Sequence, residues 1–317
     1  MEKAQCDISI LDRLEKLENI NINKNIDNIS KKTLNWLFNF NLLHSQNIKN
    51  FKEGKYIIFG SYIWPDADAL ELRLANDFVV WLFIFDDYID ESFSKNIDSV
   101  IQTINNLKDF VNNIQFQSNL FYNNIIKLFQ DWYKRYKKYA ELFYINDFNF
   151  CFTNYLNACL SELELKQNQE ISKIKEYMIV RRDLGAIRPC FNMIKYMVKL
   201  NSLNFTHEEN ILIQQLSDYA TDHVIFVNDI ISYNKENNNN DISNIVIIYV
   251  KKYNLTLNDA LNKTCLEANK TLYNFRYIKD NINNKNIAKY AEWLEKWMMG
   301  HIEWCKITNR FDLYTRI

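Results

Sequence analysis

Apolar residues recur every three or four positions along most of this 317-residue chain, which is the spacing of amphipathic helices. In residues 33–43, for example, Leu34, Leu37 and Phe38 would share one helix face. Residues 1–30 are polar and weakly periodic, so we expect a lead-in before a single helical domain over residues 31–317. A capping box at 206–209 opens a long helix. Further helical patterns span residues 66–91, 97–113, 117–143, 147–166, 171–200, 242–251, 257–281 and 286–305.

Composition supports an all-α fold. Four Gly and two Pro are too few for a turn-rich β protein. The 38 Lys and Arg residues nearly balance 39 Asp and Glu residues, so no global basic field favours a nucleic-acid partner. The longest apolar run, residues 78–85, is far shorter than the roughly 20 residues of a membrane span, and no apolar signal core opens the chain. These features predict a cytoplasmic protein without a membrane span.

Residues 171–200 would form one helix if Gly185 and Pro189 did not interrupt it. Inside a helix, Gly costs about 1 kcal/mol and Pro about 3 kcal/mol, so we expect a break. Broken helices expose backbone polar groups, often at a site that uses them. The arginines around the break could contact solvent or bind phosphate oxygens with their planar guanidinium groups. They are Arg181, Arg182 and Arg188.

Four acids end the helical pattern of residues 66–91: Asp86, Asp87, Asp90 and Glu91. Asp86 and Asp90 are four residues apart, so they would stand on one helix face. Like charges at that spacing repel each other, and acids at a helix C-terminus also oppose the helix dipole. The pattern could be a solvated helix end, but a hard cation such as Mg²⁺ would stabilise it.

A second polar cluster lies far along the chain, in residues 228–236. Asn228, Ser232 and Glu236 follow one another at four-residue intervals, which gives a helix an oxygen-bearing stripe that drifts about 40° per step. An amide oxygen, a hydroxyl and a carboxylate suit a hard cation, with waters or phosphate oxygens completing its shell. Either cluster alone is a weak signal, but the two together favour a metal site.

With DDYIDE at 86–91, YMIVRRDLGAIRP at 177–189 and NDIISYNKE at 228–236, the chain resembles the microbial-type class I terpene synthases over residues 55–311. The resemblance implies a single-domain class I terpenoid synthase-type helical bundle around a central apolar cavity. It also implies a prenyl diphosphate substrate and Mg²⁺, with three ions when substrate is bound. Farnesyl diphosphate, ionised and cyclised to a sesquiterpene with release of diphosphate, is the commonest case in the family.

Residue by residue, the resemblance implies that Asp86 and Asp90 bind Mg²⁺. It implies that Asn228, Ser232 and Glu236 bind another ion.

The resemblance also assigns the diphosphate contacts. Arg182, 46 residues before Asn228, would sense the diphosphate, and Lys235 and Arg310 would bind it. Phe311 stands where the family commonly has Tyr, which argues against any role there that needs a hydroxyl. The expected lining of the cavity is Phe59, Val79, Phe83, Gly185, Ala186 and Trp304.

Alternative functions are a diterpene synthase acting on geranylgeranyl diphosphate, a prenyl-coupling transferase, and a non-catalytic carrier of hydrophobic ligands. A chain-elongating prenyltransferase would need a second Asp-Asp pair, which the sequence lacks. A coupling enzyme would use two DxxxD motifs, and Asp218 with Asp222 formally supplies the second. Asp218 would lie about 15 Å from Asn228 along the same helix, which disfavours that reading. The chain could be a monomer or a homodimer.

Overall fold

The computed structural model describes residue 6 and residues 8–15, 21–43, 48–113, 123–239 and 241–311. These ranges contain α-helices and two short 3-10 turns, at Ile8–Arg13 and Ser202–Asn204, and no strand, so the all-α prediction is confirmed. The helices are α1 (Ile26–Asn39), α2 (Ile48–Glu53), α3 (Tyr56–Ile63), α4 (Ala69–Phe93), α5 (Ile97–Val111), α6 (Asn124–Tyr139), α7 (Leu142–Asn168), α8 (Ile174–Leu184), α9 (Ile187–Val198), α10 (His207–Asn238), α11 (Ile245–Lys251), α12 (Leu257–Asp280) and α13 (Lys285–Cys305).

The start of α4 is fixed by a capping box. Asp68 accepts hydrogen bonds from the backbone N–H groups of Leu70 and Glu71, and Glu71 accepts one from the N–H of Asp68. Asp66, where the helical pattern in the sequence begins, lies before the helix and pairs with Lys296 at 2.6 Å. The helix then runs without interruption to its acidic end, which places the four acids at one end of the bundle.

An aromatic layer holds α4 against α6 and α7. Phe78 stacks on Trp132 with ring centroids 4.6 Å apart, and Phe129 stacks on Phe152 at 4.7 Å. Trp81 donates from Nε1 to the carbonyl of Ile125 at 3.0 Å, so its buried N–H is satisfied. Because these rings are fully buried and interlocked, the acidic end of α4 rests on a rigid support.

The helix break predicted in residues 171–200 lies between α8 and α9, but its cause differs from the expected one. Ala186 adopts a left-handed conformation, with φ 52° and ψ 20°, whereas Gly185 has an ordinary φ of −69°. A non-glycine residue there costs roughly 1–2 kcal/mol. Pro189 lies in the first turn of α9, where its missing N–H would have no helical partner in any case. Tertiary packing, and not Gly or Pro alone, therefore sets the break.

A close approach between helices brings α13 against the end of α3. A Cβ atom on Gly300 would lie 2.1 Å from the carbonyl oxygen of Tyr62, so only glycine fits at this crossing. The approach places Phe59 of α3 against Trp297 and Trp304 of α13, with ring centroids 5.9 and 4.6 Å away. These rings form one side of the central cavity.

The first 30 residues do not all form a loose lead-in. Cys6 and Leu11 are each 1% exposed, and Cys6 exchanges two hydrogen bonds with the side chain of Asn234 on α10. Helix α1 begins at Ile26, so the boundary expected at residue 30 falls inside a helix. Phe38, expected on the same helix face as Leu34 and Leu37, is 45% exposed, whereas Leu37 is buried. The buried face of α1 consists of Ile29, Thr33, Trp36 and Leu37.

Across the described ranges, no helix combines the length and the apolar character that a membrane span requires.

Candidate active site

The acidic end of α4 and the polar stripe of α10 face the same cavity, which encloses about 210 Å³. Lys235 of α10 reaches across to α4, and its Nζ lies 3.3 Å from Asp90 Oδ2. The two clusters are more than 130 residues apart in sequence, so only the packing of α4 and α10 brings them together. The predicted metal ligands that line this cavity are Asp86, Asp90, Asn228, Ser232 and Glu236.

The acidic end of α4 holds two carboxylates, Asp86 and Asp90, that repel each other. Burial, followed by the charge of Asp86, raises the pKa of Asp90 to about 6, although Lys235 and Lys166 act in the opposite direction. A cation bound beside Asp86 and Asp90, in addition to the two lysines, would therefore favour the ionised form of both carboxylates. The electrostatics are those of a site that binds positive charge.

Arg310 ties the C-terminal segment to the same acids. Its guanidinium pairs with Asp86, lies 2.7 Å from Asp87 Oδ1, and donates to the hydroxyl of Tyr56. Its carbon also lies 5.2 Å from the ring centre of Tyr56 and 5.3 Å from that of Phe83. The side chain is only 7% exposed. The segment after α13 therefore covers the acidic end of the cavity.

Asn244, which caps α11, organises the polar stripe of α10. Its Nδ2 donates to the carbonyl of Asp229 at 2.7 Å, to Ser232 Oγ at 3.3 Å and to Glu236 Oε2 at 2.8 Å. Burial, with Asp241 and Asp229 adding, raises the pKa of Glu236 to about 8. Sequence reasoning missed Asn244 because it lies beyond the helix that it supports.

The arginine assignment needs a correction. Arg182, the predicted diphosphate sensor, does not line the cavity. Its guanidinium makes two 2.7 Å hydrogen bonds to Asp222 of α10 instead. Arg181 lines the cavity and donates to Asn228 Oδ1 at 2.8 Å and to Asp229 Oδ1 at 2.9 Å. Successive helix residues point about 100° apart, so a shift of one residue exchanges the two environments.

A buried ionic group that the sequence did not reveal completes the polar wall. Lys166 of α7 lies 2.9 Å from Asp241 Oδ2 and 3.3 Å from Glu162 Oε1, and all three residues line the cavity. Lys166 is one of the groups that lower the pKa of Asp90, so it adds positive potential beside the acids of α4. No motif in the local sequence distinguishes these residues from ordinary surface charges.

The rest of the cavity is largely apolar, and one part of it is a cluster of aromatic rings. Phe59, Phe83 and Trp304 are in mutual contact, with ring centroids 4.6 to 5.4 Å apart. Phe311 packs edge-on against Trp304 at 5.9 Å and is buried, so it supplies an apolar surface at this position. The cavity residues expected from the sequence all lie in the wall: Phe59, Val79, Phe83, Gly185, Ala186 and Trp304.

The donor set suits a hard cation. Carboxylate, amide and hydroxyl oxygens supply every predicted ligand. In the part of the chain that the structure describes, no three His, Cys, Asp or Glu side chains are grouped closely enough to hold a metal ion by themselves. A metal here would therefore need the Asn and Ser oxygens as well, with further oxygens from outside the protein.

The second DxxxD motif lies outside the cavity. Asp222 binds Arg182, and Asp218 lies 3.0 Å from Arg188. Neither acid lines the cavity. The placement removes the structural basis for a prenyl-coupling enzyme.

Comparison with known proteins agrees with this geometry. Germacrene A synthase from Nostoc punctiforme is 22% identical over 93% of this chain and 93% of its own length. Alpha-muurolene synthase from Coprinopsis cinerea is 24% identical over 90% of this chain and 69% of its own length. The crystal structure of linalool/nerolidol synthase from Streptomyces clavuligerus superposes with a TM-score of 0.80 at 16% identity, over 92% of this chain and 100% of that one.

The family model described as terpene synthase family 2, C-terminal metal binding, matches residues 77–272. The match includes the acidic end of α4, the α8–α9 break and the polar stripe of α10. Because it covers more than half of the chain, we conclude that this protein belongs to terpene synthase family 2.

Proposed function

We propose that this terpene synthase converts farnesyl diphosphate to a sesquiterpene in a Mg²⁺-dependent reaction that releases diphosphate. The observation that carries the proposal is that two distant oxygen-rich clusters line one cavity whose remaining wall is apolar and includes a cluster of aromatic rings. Charge and apolar surface are thus separated within a single space, which suits a substrate with a diphosphate head and a hydrocarbon tail.

The polar end would bind the diphosphate. Arg181, Lys235 and Arg310 bring three positive charges to the same end of the cavity, each already paired with an acid or amide of the site. When the C–O bond breaks, its electron pair stays with the diphosphate, so these cations stabilise charge that develops in the transition state. Bound Mg²⁺, held by Asp86 and Asp90 on one side and by the stripe of α10 on the other, would neutralise further charge there.

The aromatic end would hold the carbocation. The faces of Phe59, Phe83 and Trp304 each offer about 0.5–2 kcal/mol of attraction to a cation. Their packing also keeps bulk water away from the reacting carbons. The segment that carries Arg310 would strengthen this exclusion by covering the polar end.

The length of the prenyl chain is the finer part of the proposal. Relatives along most of the chain are named as synthases of germacrene A, 4-epi-cubebol and alpha-muurolene, and the 4-epi-cubebol synthase is named as cyclising farnesyl diphosphate. Farnesyl diphosphate is therefore the first substrate to test. Geranylgeranyl diphosphate is the alternative, which would make the enzyme a diterpene synthase. A cytoplasmic location and a monomer or homodimer state stay predictions.

The test is turnover of geranyl, farnesyl and geranylgeranyl diphosphate with Mg²⁺, read by gas chromatography and mass spectrometry. We expect sesquiterpene products from farnesyl diphosphate and none after addition of EDTA. Asp86→Ala and Asn228→Ala should each abolish turnover. Full activity in either variant, or in EDTA, would refute the metal-site assignment.

Two neighbouring arginines provide a matched pair. Arg181→Lys should lower kcat/KM by at least 100-fold. A Lys ammonium cannot replace the planar guanidinium, which donates to Asn228 and Asp229 of α10 and would also donate to the diphosphate. Arg182→Lys should change it by less than 5-fold, because Arg182 faces Asp222 outside the cavity. The opposite ranking would restore Arg182 as the diphosphate sensor.

A further inference from the structure

Two residues in the wall at the aromatic end of the cavity each have a buried polar atom with no partner. Trp297 and His301 lie one turn apart on α13, are 3% and 4% exposed, and both line the cavity. Trp297 Nε1 and His301 Nδ1 are buried and have no hydrogen-bond partner. Among the described residues that line this cavity, no other buried side-chain nitrogen or oxygen is left unpaired.

The pair offers one donor and one acceptor. An indole N–H can only donate, whereas a neutral imidazole has one N–H and one lone pair. Burial, followed by the charges of His223 and Arg181, lowers the pKa of His301 to about 3, so the ring is neutral near pH 7. His301 Nε2 lies 3.6 Å from Cys305 Sγ. With hydrogen on Nε2, the lone pair is on the unpaired Nδ1.

A cation in the cavity favours that tautomer. The alternative tautomer would place an N–H, whose positive end points outward, on the unpaired nitrogen. A lone pair on this nitrogen is attracted to positive charge. The low dielectric of an apolar cavity increases the energy difference between the two tautomers. During the reaction, His301 Nδ1 is therefore an acceptor.

The other cavity tryptophan shows that the unpaired N–H is particular to this spot. Trp304 lies on the same helix and lines the same cavity, but its Nε1 donates to the carbonyl of Lys55 at 3.1 Å. A buried polar group without a partner costs about 1–3 kcal/mol. Buried groups of this kind are commonly satisfied by an ordered water, which needs two or more polar partners. Trp297 and His301 provide two.

We propose that Trp297 and His301 hold one water molecule at the aromatic end of the cavity, and that this water ends the carbocation reaction, so that the enzyme releases a terpene alcohol. This inference rests on the proposed function. The water oxygen donates an electron pair to the carbocation and forms the C–O bond. One proton of that water passes to His301 Nδ1 and leaves to solvent when the product does.

The test is the product profile with farnesyl diphosphate and Mg²⁺ in buffer made with ¹⁸O-labelled water. We expect a sesquiterpene alcohol as the main product, with a mass about two units above that of the alcohol formed in unlabelled water, because the hydroxyl oxygen comes from the labelled water. Trp297→Phe removes the donor and His301→Phe removes the acceptor, and each should lower the alcohol-to-hydrocarbon ratio at least 5-fold. His301→Gln, which restores an acceptor, should recover part of the alcohol.

Trp304→Phe is the matched control, because it makes the same ring change at a tryptophan whose N–H is already paired. Total turnover should fall in this variant, because Trp304 belongs to the wall that faces the carbocation, so the comparison uses only the alcohol-to-hydrocarbon ratio. That ratio should stay within 2-fold of the parent enzyme. An equal loss of alcohol in Trp304→Phe and Trp297→Phe would overturn the inference, since cavity shape alone would then explain it. Circular dichroism melting selects variants that are folded, and His301→Leu, which also removes the acceptor, replaces His301→Phe if the latter does not fold.

The outcomes separate this inference from the proposed function. Turnover to hydrocarbons alone would overturn the water site and leave the synthase function intact. An alcohol without the ¹⁸O label, or a profile unchanged in the variants of both Trp297 and His301, would also overturn it. Failure to turn over any prenyl diphosphate would instead overturn the proposed function.

Discussion

Asn244 connects the loop after α10 to the proposed metal ligands, so replacing it tests whether that connection matters. In Asn244→Ser, the hydroxyl can still cap α11, where the native side chain accepts from the N–H groups of Val246 and Ile247 at 2.8 and 3.2 Å. The variant loses Nδ2, which donates to the carbonyl of Asp229 and to Glu236 Oε2. The substitution therefore separates support of the ligands from helix capping.

The magnitude follows from the contacts that are lost. Each of the two lost hydrogen bonds contributes about 0.5–1.5 kcal/mol, because Glu236 is mostly protonated near pH 7 and the carbonyl of Asp229 keeps its bond within α10. We expect Asn244→Ser to lower the free energy of unfolding by roughly 1–3 kcal/mol. Residues that orient a metal ligand typically contribute about 10- to 100-fold to metal affinity. The Mg²⁺ concentration for half-maximal turnover should therefore rise by that factor.

The assay is turnover as a function of Mg²⁺ concentration, together with urea unfolding of the same samples. Asn244→Ala is the companion variant, because it loses the helix cap as well. It should show the same Mg²⁺ shift as the Ser variant and a further loss of about 1 kcal/mol in unfolding free energy. An unchanged Mg²⁺ requirement in Asn244→Ser would refute the reasoning that Asn244 positions the ligands of α10.

Two further predictions concern stability. Gly300→Ala should lower the unfolding free energy by about 1–3 kcal/mol or more, because the new methyl group would overlap the backbone of Tyr62, and an unchanged melting temperature would contradict this. Burial, followed by the charge of Arg276, lowers the pKa of His223 to about 3 in the folded protein, so the unfolded chain takes up this proton first as pH falls below 6.5. The stabilisation from His223 should be fully present above pH 6.5 and fall by up to roughly 5 kcal/mol towards pH 3, at about 1.4 kcal/mol per pH unit. His301, whose pKa is also lowered to about 3, adds a loss of the same sign, so the test is the difference that His223→Asn makes. His223→Asn should flatten this dependence in urea unfolding and the exposed His207→Asn should not, so equal pH profiles for these two variants would count against the assignment.

The positions of α4 and α10 were predictable because their signals are local. The capping box at 206–209, the apolar spacing and the four-residue intervals between Asp86 and Asp90, or between Asn228 and Ser232, depend only on helix geometry. A helix of known register fixes which of its residues share a face. The sequence could therefore predict both oxygen-rich clusters and the all-α fold without information about packing.

The partners across the cavity were not predictable, because they depend on how each helix is rotated against its neighbours. Arg181 and Arg182 are adjacent and chemically identical, and only the orientation of α8 decides which one faces Asn228. Asn244 reaches α10 from a separate helix. Whether Trp297 or Trp304 has a free N–H depends on a distant carbonyl. By itself, the sequence determined which helices carry the chemistry, because periodicity is a property of one helix. The tertiary structure decided which side chains meet, because contacts between helices depend on the packing of the whole chain.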